Sequence, residues 1–137
     1  MKSPLLLFAL KCSVILYFAA CSGITDYTTA VSATPLVTKG SWKADLYTGK
    51  DQSGSLTGYS LIFDPSGKVT ASKNGKEIKG NWSEDDILKR ITISLDTNDP
   101  ELTILNNYWD ISSITKTKVT LQNTEALSAG RLQLTSL

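Results

Sequence analysis

Residues 59–83 read YSLIFDPSGKVTASKNGKEIKGNWS, and the two turns inside this stretch can be checked against each other. Asp64-Pro65-Ser66-Gly67 suits a type I turn, with Pro at its second position and Gly where the backbone turns left-handed. If Asp64 pairs with Lys68, Phe63 faces Val69 and Leu61 faces Ala71. Asn74-Gly75 is a strong signal for a two-residue hairpin. Pairing Lys73 with Lys76 then sets Ala71 opposite Ile78 and Val69 opposite Gly80. Both turns select the same inward face. Because a slip of one residue would turn every side chain to the other face, that agreement predicts an antiparallel meander from about Tyr59 to Ser83.

The same period of two continues on both sides. Trp42, Ala44 and Leu46 alternate with Lys43 and Asp45. Downstream come Ile91, Ile93 and Leu95, then Trp109 and Ile111, Val119 and Leu121, and Leu132 and Leu134. Short alternating runs bounded by Gly, Asn, Asp and Pro are the mark of strands. One stretch has two readings. Asp99-Pro100-Glu101 has the form of a helix cap with Pro at the first helical position. Leu102 to Leu105 also reads as a strand, with Asn106-Asn107 turning into Tyr108-Trp109, and this hairpin is the preferred form. Eight or nine short strands with tight connections predict an all-β domain, an antiparallel meander closing into a barrel or folding into a sandwich. A barrel of roughly eight strands is either filled by its own side chains or holds one small ligand.

Composition narrows the function. The chain has 137 residues, with 14 basic and 13 acidic side chains and no histidine. Near-balanced charge speaks against nucleic-acid binding, which calls for a strongly basic face. Without histidine there is no Ser-His-Asp or Cys-His catalysis and no usual transition-metal site. Both cysteines fall in the first 21 residues. Lys2 and Lys11 flank apolar runs that end in Val14-Ile15-Leu16-Tyr17-Phe18-Ala19-Ala20, the pattern of a secretory signal. Phe18-Ala19-Ala20-Cys21 resembles the lipobox of bacterial lipoproteins, although Phe stands where Leu is usual. The resemblance implies cleavage after residue 20 and a lipid anchor on Cys21. Ordinary secretion with a free Cys21 thiol is the plainer alternative. Cleavage leaves 14 − 2 = 12 basic residues and 13 acidic, a net charge of −1. Residues 21–39, rich in Ser, Thr and Ala, read as a flexible tether, with a first strand near Leu36-Val37 as the alternative. Residues 40–137 are the barrel domain.

Gly40-Ser41-Trp42 at the head of the first strand resembles the Gly-x-Trp motif of lipocalins, which implies a tryptophan plugging one barrel end. Arg131 then matches, by position, the basic residue that packs over this tryptophan. The layout of signal, lipobox, tether, Gly-x-Trp and hairpins, with Gly80-Asn81-Trp82 repeating the motif, resembles small lipocalin-like lipoproteins of Gram-negative bacteria. The resemblance covers roughly residues 40–135 and implies a small apolar or amphipathic ligand. The domain is shorter than a usual lipocalin and shows no long C-terminal helix, so a cavity of usual size does not follow.

Tyr59, Phe63, Trp82 and Trp109 are the residues that would line such a pocket; packing of a filled core explains them as well. Asp96-Thr97-Asn98-Asp99 and Glu84-Asp85-Asp86 read as solvated turns and no metal site is expected, since the spacing lacks the Gly and distal Glu of a calcium loop. Lys68, Lys73, Lys76 and Lys79 read as a charged sheet edge that discourages aggregation. No cofactor is implied. The expectation is a non-catalytic envelope lipoprotein, attached through Cys21 and facing the periplasm from the outer membrane, that holds a small hydrophobic ligand. The alternative is an assembly lipoprotein whose filled barrel docks an envelope protein through its loops.

Overall fold

The computed structural model describes residues 32–48, 56–124 and 130–137. A single turn of helix, α1 (Thr34–Val37), leads through Gly40 into β1 (Ser41–Thr48). Then follow β2 (Ser60–Phe63), β3 (Lys68–Lys73), β4 (Lys76–Asp85) and β5 (Arg90–Leu95). A second helical turn, α2 (Pro100–Thr103), precedes β6 (Asn107–Ile114), β7 (Lys118–Asn123) and β8 (Gly130–Ser136). The strands run in chain order around a closed antiparallel barrel of eight, β8 returning to pair with β1 from Trp42↔Ser136 to Thr48↔Gly130.

The meander takes the predicted register. Phe63 pairs with Val69 and Leu61 with Ala71, and across the next turn Ala71 pairs with Ile78 and Val69 with Gly80. Asn74 and Gly75 both have positive φ, 52° and 77°, the left-handed pair that a tight hairpin of matching twist needs. Gly67, at φ 89°, closes the other turn, where its amide donates to the Asp64 carbonyl over 3.0 Å. β4 is the longest strand because it bends from one neighbour to the next. Gly80 and Asn81 pair with β3 on one side and with Leu95 and Ser94 of β5 on the other.

Alternation puts Trp42, Ala44, Leu46, Leu61, Phe63, Val69, Ala71, Ile91, Ile93, Val119, Leu121, Leu132 and Leu134 inside, each no more than 1% exposed. Both ends of this core are closed. At the end where β1 begins, called here the N-terminal end, Ala33 and Val37 of the α1 segment are fully buried. At the far end Leu56, Leu102 and Leu105 are fully buried as well.

Two local expectations change. Residues 32–39, read as the end of a tether or as a strand, are packed against the barrel as a helical turn. A four-residue helix has no stability of its own, and tertiary contacts hold this one. The Trp42 indole donates to the Val37 carbonyl over 2.8 Å, and the Glu84 carboxylate accepts from the Ala33 and Thr34 amides at 2.7 and 2.8 Å. Residues 21–31 of the expected tether, and the signal segment 1–20, lie outside the described residues. The preferred hairpin at 102–109 is replaced by α2. Asp99 caps it by accepting from the Glu101 amide at 2.9 Å, and Pro100 occupies the first turn. Leu102 and Leu105 are buried while Thr103 and Ile104 are exposed, a spacing of three that only a helical turn provides. Asn106 then takes the place of a strand neighbour, exchanging side-chain hydrogen bonds with the Leu95 amide and carbonyl at 2.6 and 2.9 Å.

Candidate functional site

The four aromatic residues singled out in the sequence do not meet in one pocket. Phe63 and Trp82 pack edge to face at the N-terminal end, with ring centroids 5.3 Å apart. Trp82 is stitched to the turn below it twice: its amide donates to the Gly67 carbonyl and its indole to the Asp64 carbonyl, both at 2.9 Å. Trp109 lies under α2, its indole donating to the Leu105 carbonyl over 3.2 Å. With every indole bonded to backbone and each ring no more than 7% exposed, the three tryptophans work as core, satisfying their polar ends internally.

Arg131 does not cover Trp42. In the β1–β8 register it pairs with Tyr47, while Trp42 pairs with Ser136, and its guanidinium stacks on the Tyr47 ring 4.8 Å from the centroid. Five residues of strand separate Arg131 from the position opposite Trp42, so the positional match to a lipocalin arginine fails on register. Trp42 is held instead by the Val37 carbonyl of α1. Cys21 lies outside the described residues.

Tyr59 alone of the four reaches the surface. It stands half-buried at the mouth of the far end, over a hollow of about 230 Å³ bounded by Lys73, Asn74, Lys76 and Ile78. That is below the roughly 300–1,000 Å³ of drug-sized ligand sites. The Lys73 ammonium lies 4.7 Å from the Tyr59 ring centroid. The Tyr59 hydroxyl donates to Asp99 Oδ2 over 3.1 Å, so Asp99 joins the mouth to the helix it caps. Partial burial, the hydrogen bond to Asp99, and the charges of Asp99 and Glu101 all raise the phenol above its ordinary value, which keeps it a donor. Lys73 and Lys76 were read as part of a basic edge. In a closed barrel β3 and β4 each have two neighbours, so there is no edge there. Lys73 and Lys76 extend the inward parity of Ala71 and Ile78 to the rim, whereas Lys68 bonds Asn81 across the strands at 2.8 Å and Lys79 is exposed. Their pairing across Asn74-Gly75 was the signal that could have placed them at the mouth.

The acidic turn was also misread in part. Asp85 and Asp86 are exposed, but Glu84 is a clasp. Besides the two amides it accepts from the Ser32 hydroxyl at 2.8 Å and from the Thr34 hydroxyl. Burial by itself raises this carboxyl. The four hydrogen bonds from Thr34, Ala33 and Ser32 outweigh it and hold Glu84 below the usual carboxylate range.

Among solved structures, three from Bacteroides share this architecture. A DUF4847 family protein from Bacteroides vulgatus aligns over 77% of this chain and 98% of its own, at TM-score 0.58 and 13% identity. A lipocalin-like protein from Bacteroides uniformis aligns over 72% and 96%, at TM-score 0.51 and 15% identity. The fold is lipocalin-like. An uncharacterized protein from Bacteroides eggerthii also aligns, over 72% and 98%, at TM-score 0.50 and 14% identity. No protein-family model and no curated protein matches the sequence. At such identities the lipocalin-like likeness extends to the barrel and not to its contents.

Proposed function

We propose that this lipocalin-like protein is a non-catalytic lipoprotein of the cell envelope, anchored through lipid on Cys21, whose filled barrel presents its far-end loops to a protein partner. The observation that carries the reading is the packed interior formed by the described residues. The inward side chains and the plugs at both ends leave the core for packing, so recognition falls to the outside. The anchor rests on Ala19-Ala20-Cys21 after an apolar run. Attachment at the outer membrane, facing the periplasm, goes with this reading. No role for an enzyme is included, because the chain has no histidine and the carboxylates Glu84 and Asp99 are bound to backbone.

A second reading has its own observation. The mouth hollow joins an aromatic wall and Ile78 to two lysines, which suits one end of a small amphipathic anion. Titration with an environment-sensitive apolar dye and with a fatty acid separates the two. The filled barrel predicts no saturable dye binding and unchanged tryptophan emission, together with partner cross-links from a photo-reactive residue at Asn98 and none from one at Thr70 on the outer wall. Saturable binding that shifts tryptophan emission would restore a ligand in the interior. Fatty-acid binding lost in Lys73→Ala and Lys76→Ala would move the function to the mouth. For the anchor, metabolic fatty-acid labelling marks the wild type and spares Cys21→Ala; equal labelling of both refutes it.

A further inference from the structure

The N-terminal end of the barrel carries an apolar tip that the core does not use. Between β4 and β5 the turn projects Ile87, 92% exposed, and Leu88, 59% exposed. Two adjacent aliphatic side chains at the point of a turn gain little for the fold from being there, since neither belongs to the core cluster. Both amides of the tip are paired: Asp85 Oδ1 accepts from the Ile87 and Leu88 amides at 2.9 and 2.8 Å, and beside them the Lys89 carbonyl accepts from the Ile111 amide at 2.8 Å. A turn with its amides paired in this way loses little hydrogen bonding when water is withdrawn from around it. Leu137, 74% exposed, lies at the same end, as do the exposed Lys39 and Lys116.

The position of the tip relative to the chain says what covers it. Glu84, three residues before Ile87, is the group that grips Ser32, Ala33 and Thr34. Ser32, where the described chain begins, is therefore held at the base of this turn. Cys21 is eleven residues before Ser32, a reach of at most about 40 Å when fully extended. We infer that the Ile87-Leu88 turn rests in the interfacial layer of the membrane that holds the anchor, so that the barrel stands on its N-terminal end with the Tyr59 mouth turned away from the lipid. This rests on the lipid-anchor reading of Cys21. The anchor supplies attachment, and the turn supplies orientation. Asp85 and Asp86 stand against Lys89 beside the tip, a local charge of −1, so the contact depends on apolar insertion and not on attraction to anionic headgroups.

The test uses the full-length processed protein in phosphatidylcholine vesicles whose acyl chains carry bromine, a short-range quencher. An environment-sensitive fluorescent amino acid is placed at Leu88 in one sample and at Asn74, at the opposite end, in another. Both sites are at exposed turns, and an unchanged unfolding midpoint confirms each fold. The expected result is co-flotation of both samples with vesicles, with emission at position 88 blue-shifted and quenched severalfold more than at position 74. Co-flotation with equal or no quenching at the two positions overturns the orientation and leaves the anchor standing. Loss of co-flotation, matching that of Cys21→Ala, overturns the anchor and the orientation with it. Emission at 88 that shifts with protein concentration and not with bromination assigns the tip to a second copy of the chain and also overturns the proposal.

Discussion

A β-carbon at Gly80 would sit 2.1 Å from the Ser94 carbonyl oxygen and 2.6 Å from the Leu95 Cα. Both are backbone, and neither can swing aside. Gly80→Ala is therefore expected to lower stability by about 1–3 kcal/mol through forced backbone movement, read as a lower denaturant midpoint. A midpoint equal to wild type would mean that β4 and β5 do not cross so closely. Gly75 poses the opposite case. Nothing lies within 4 Å of a β-carbon there, but φ is +77°. Gly75→Val should cost about 1–2 kcal/mol through crowding of its own β-carbon against the left-handed backbone, with no neighbour in the way of that β-carbon. Glu84 adds a pH dependence. Its folded pKa is depressed, so its contribution is present above the unfolded value of about 4.3 and drains away as pH falls through the folded value. Protection from hydrogen exchange at the Val37 and Thr38 amides, measured against the intrinsic rate, should fall in that acid window ahead of that of the strand amides. In Glu84→Gln those amides should exchange faster already at neutral pH, without the acid step; an unaltered acid step would show that another group controls the clasp.

At the scale of elements, strands and turns were legible because their signals are local. Asn74-Gly75 and Asp64-Pro65-Ser66-Gly67 each dictate a backbone shape, and the alternation between them has a single solution. The two helical turns were harder for a common reason. Each is too short to show a period, and its stability comes from partners distant in sequence. The residue that holds α1 is Glu84, about fifty positions later, and no property of Ser32-Ala33-Thr34 announces it. For α2 the cap at Asp99-Pro100 was visible, but Leu102-Thr103-Ile104-Leu105 is β-rich enough to mislead, and burial of Leu102 and Leu105 under the far end decided the matter. Asp99 carries the cap and the Tyr59 bond together. Asp99→Ala should cost about 1 kcal/mol or somewhat more, and Asp99→Asn, which keeps an acceptor for the cap, clearly less. The comparison of their thermal midpoints checks it. The site was legible only as a set of aromatic residues; which of them are core and which stand at the mouth depends on where each strand crosses the barrel, and that depends on closure.

On the scale of the whole molecule, closure is also what separates shape from contents. Eight strands can enclose a cavity or be filled, and here the inward side chains of the described strands, with α1 and α2 at the ends, fill them. Trp42→Ala should cost about 3–5 kcal/mol, as expected for an aromatic ring lost from a packed core, and should leave a hole that an apolar dye enters. Wild type that takes up the same dye would argue for a pre-existing cavity. The ring also has a consequence in time. Its last seam joins residues 42–48 to residues 130–136, the most distant pairing in the sequence. A chain that emerges N-terminus first can settle the Tyr59–Ser83 meander early, but until the final strand arrives β1 and β7 both present bare hydrogen-bonding edges. All of residues 41–136 must be delivered before either edge is protected. The interval between the emergence of β1 and the arrival of β8 is thus the period in which this protein is exposed to pairing with the wrong chain.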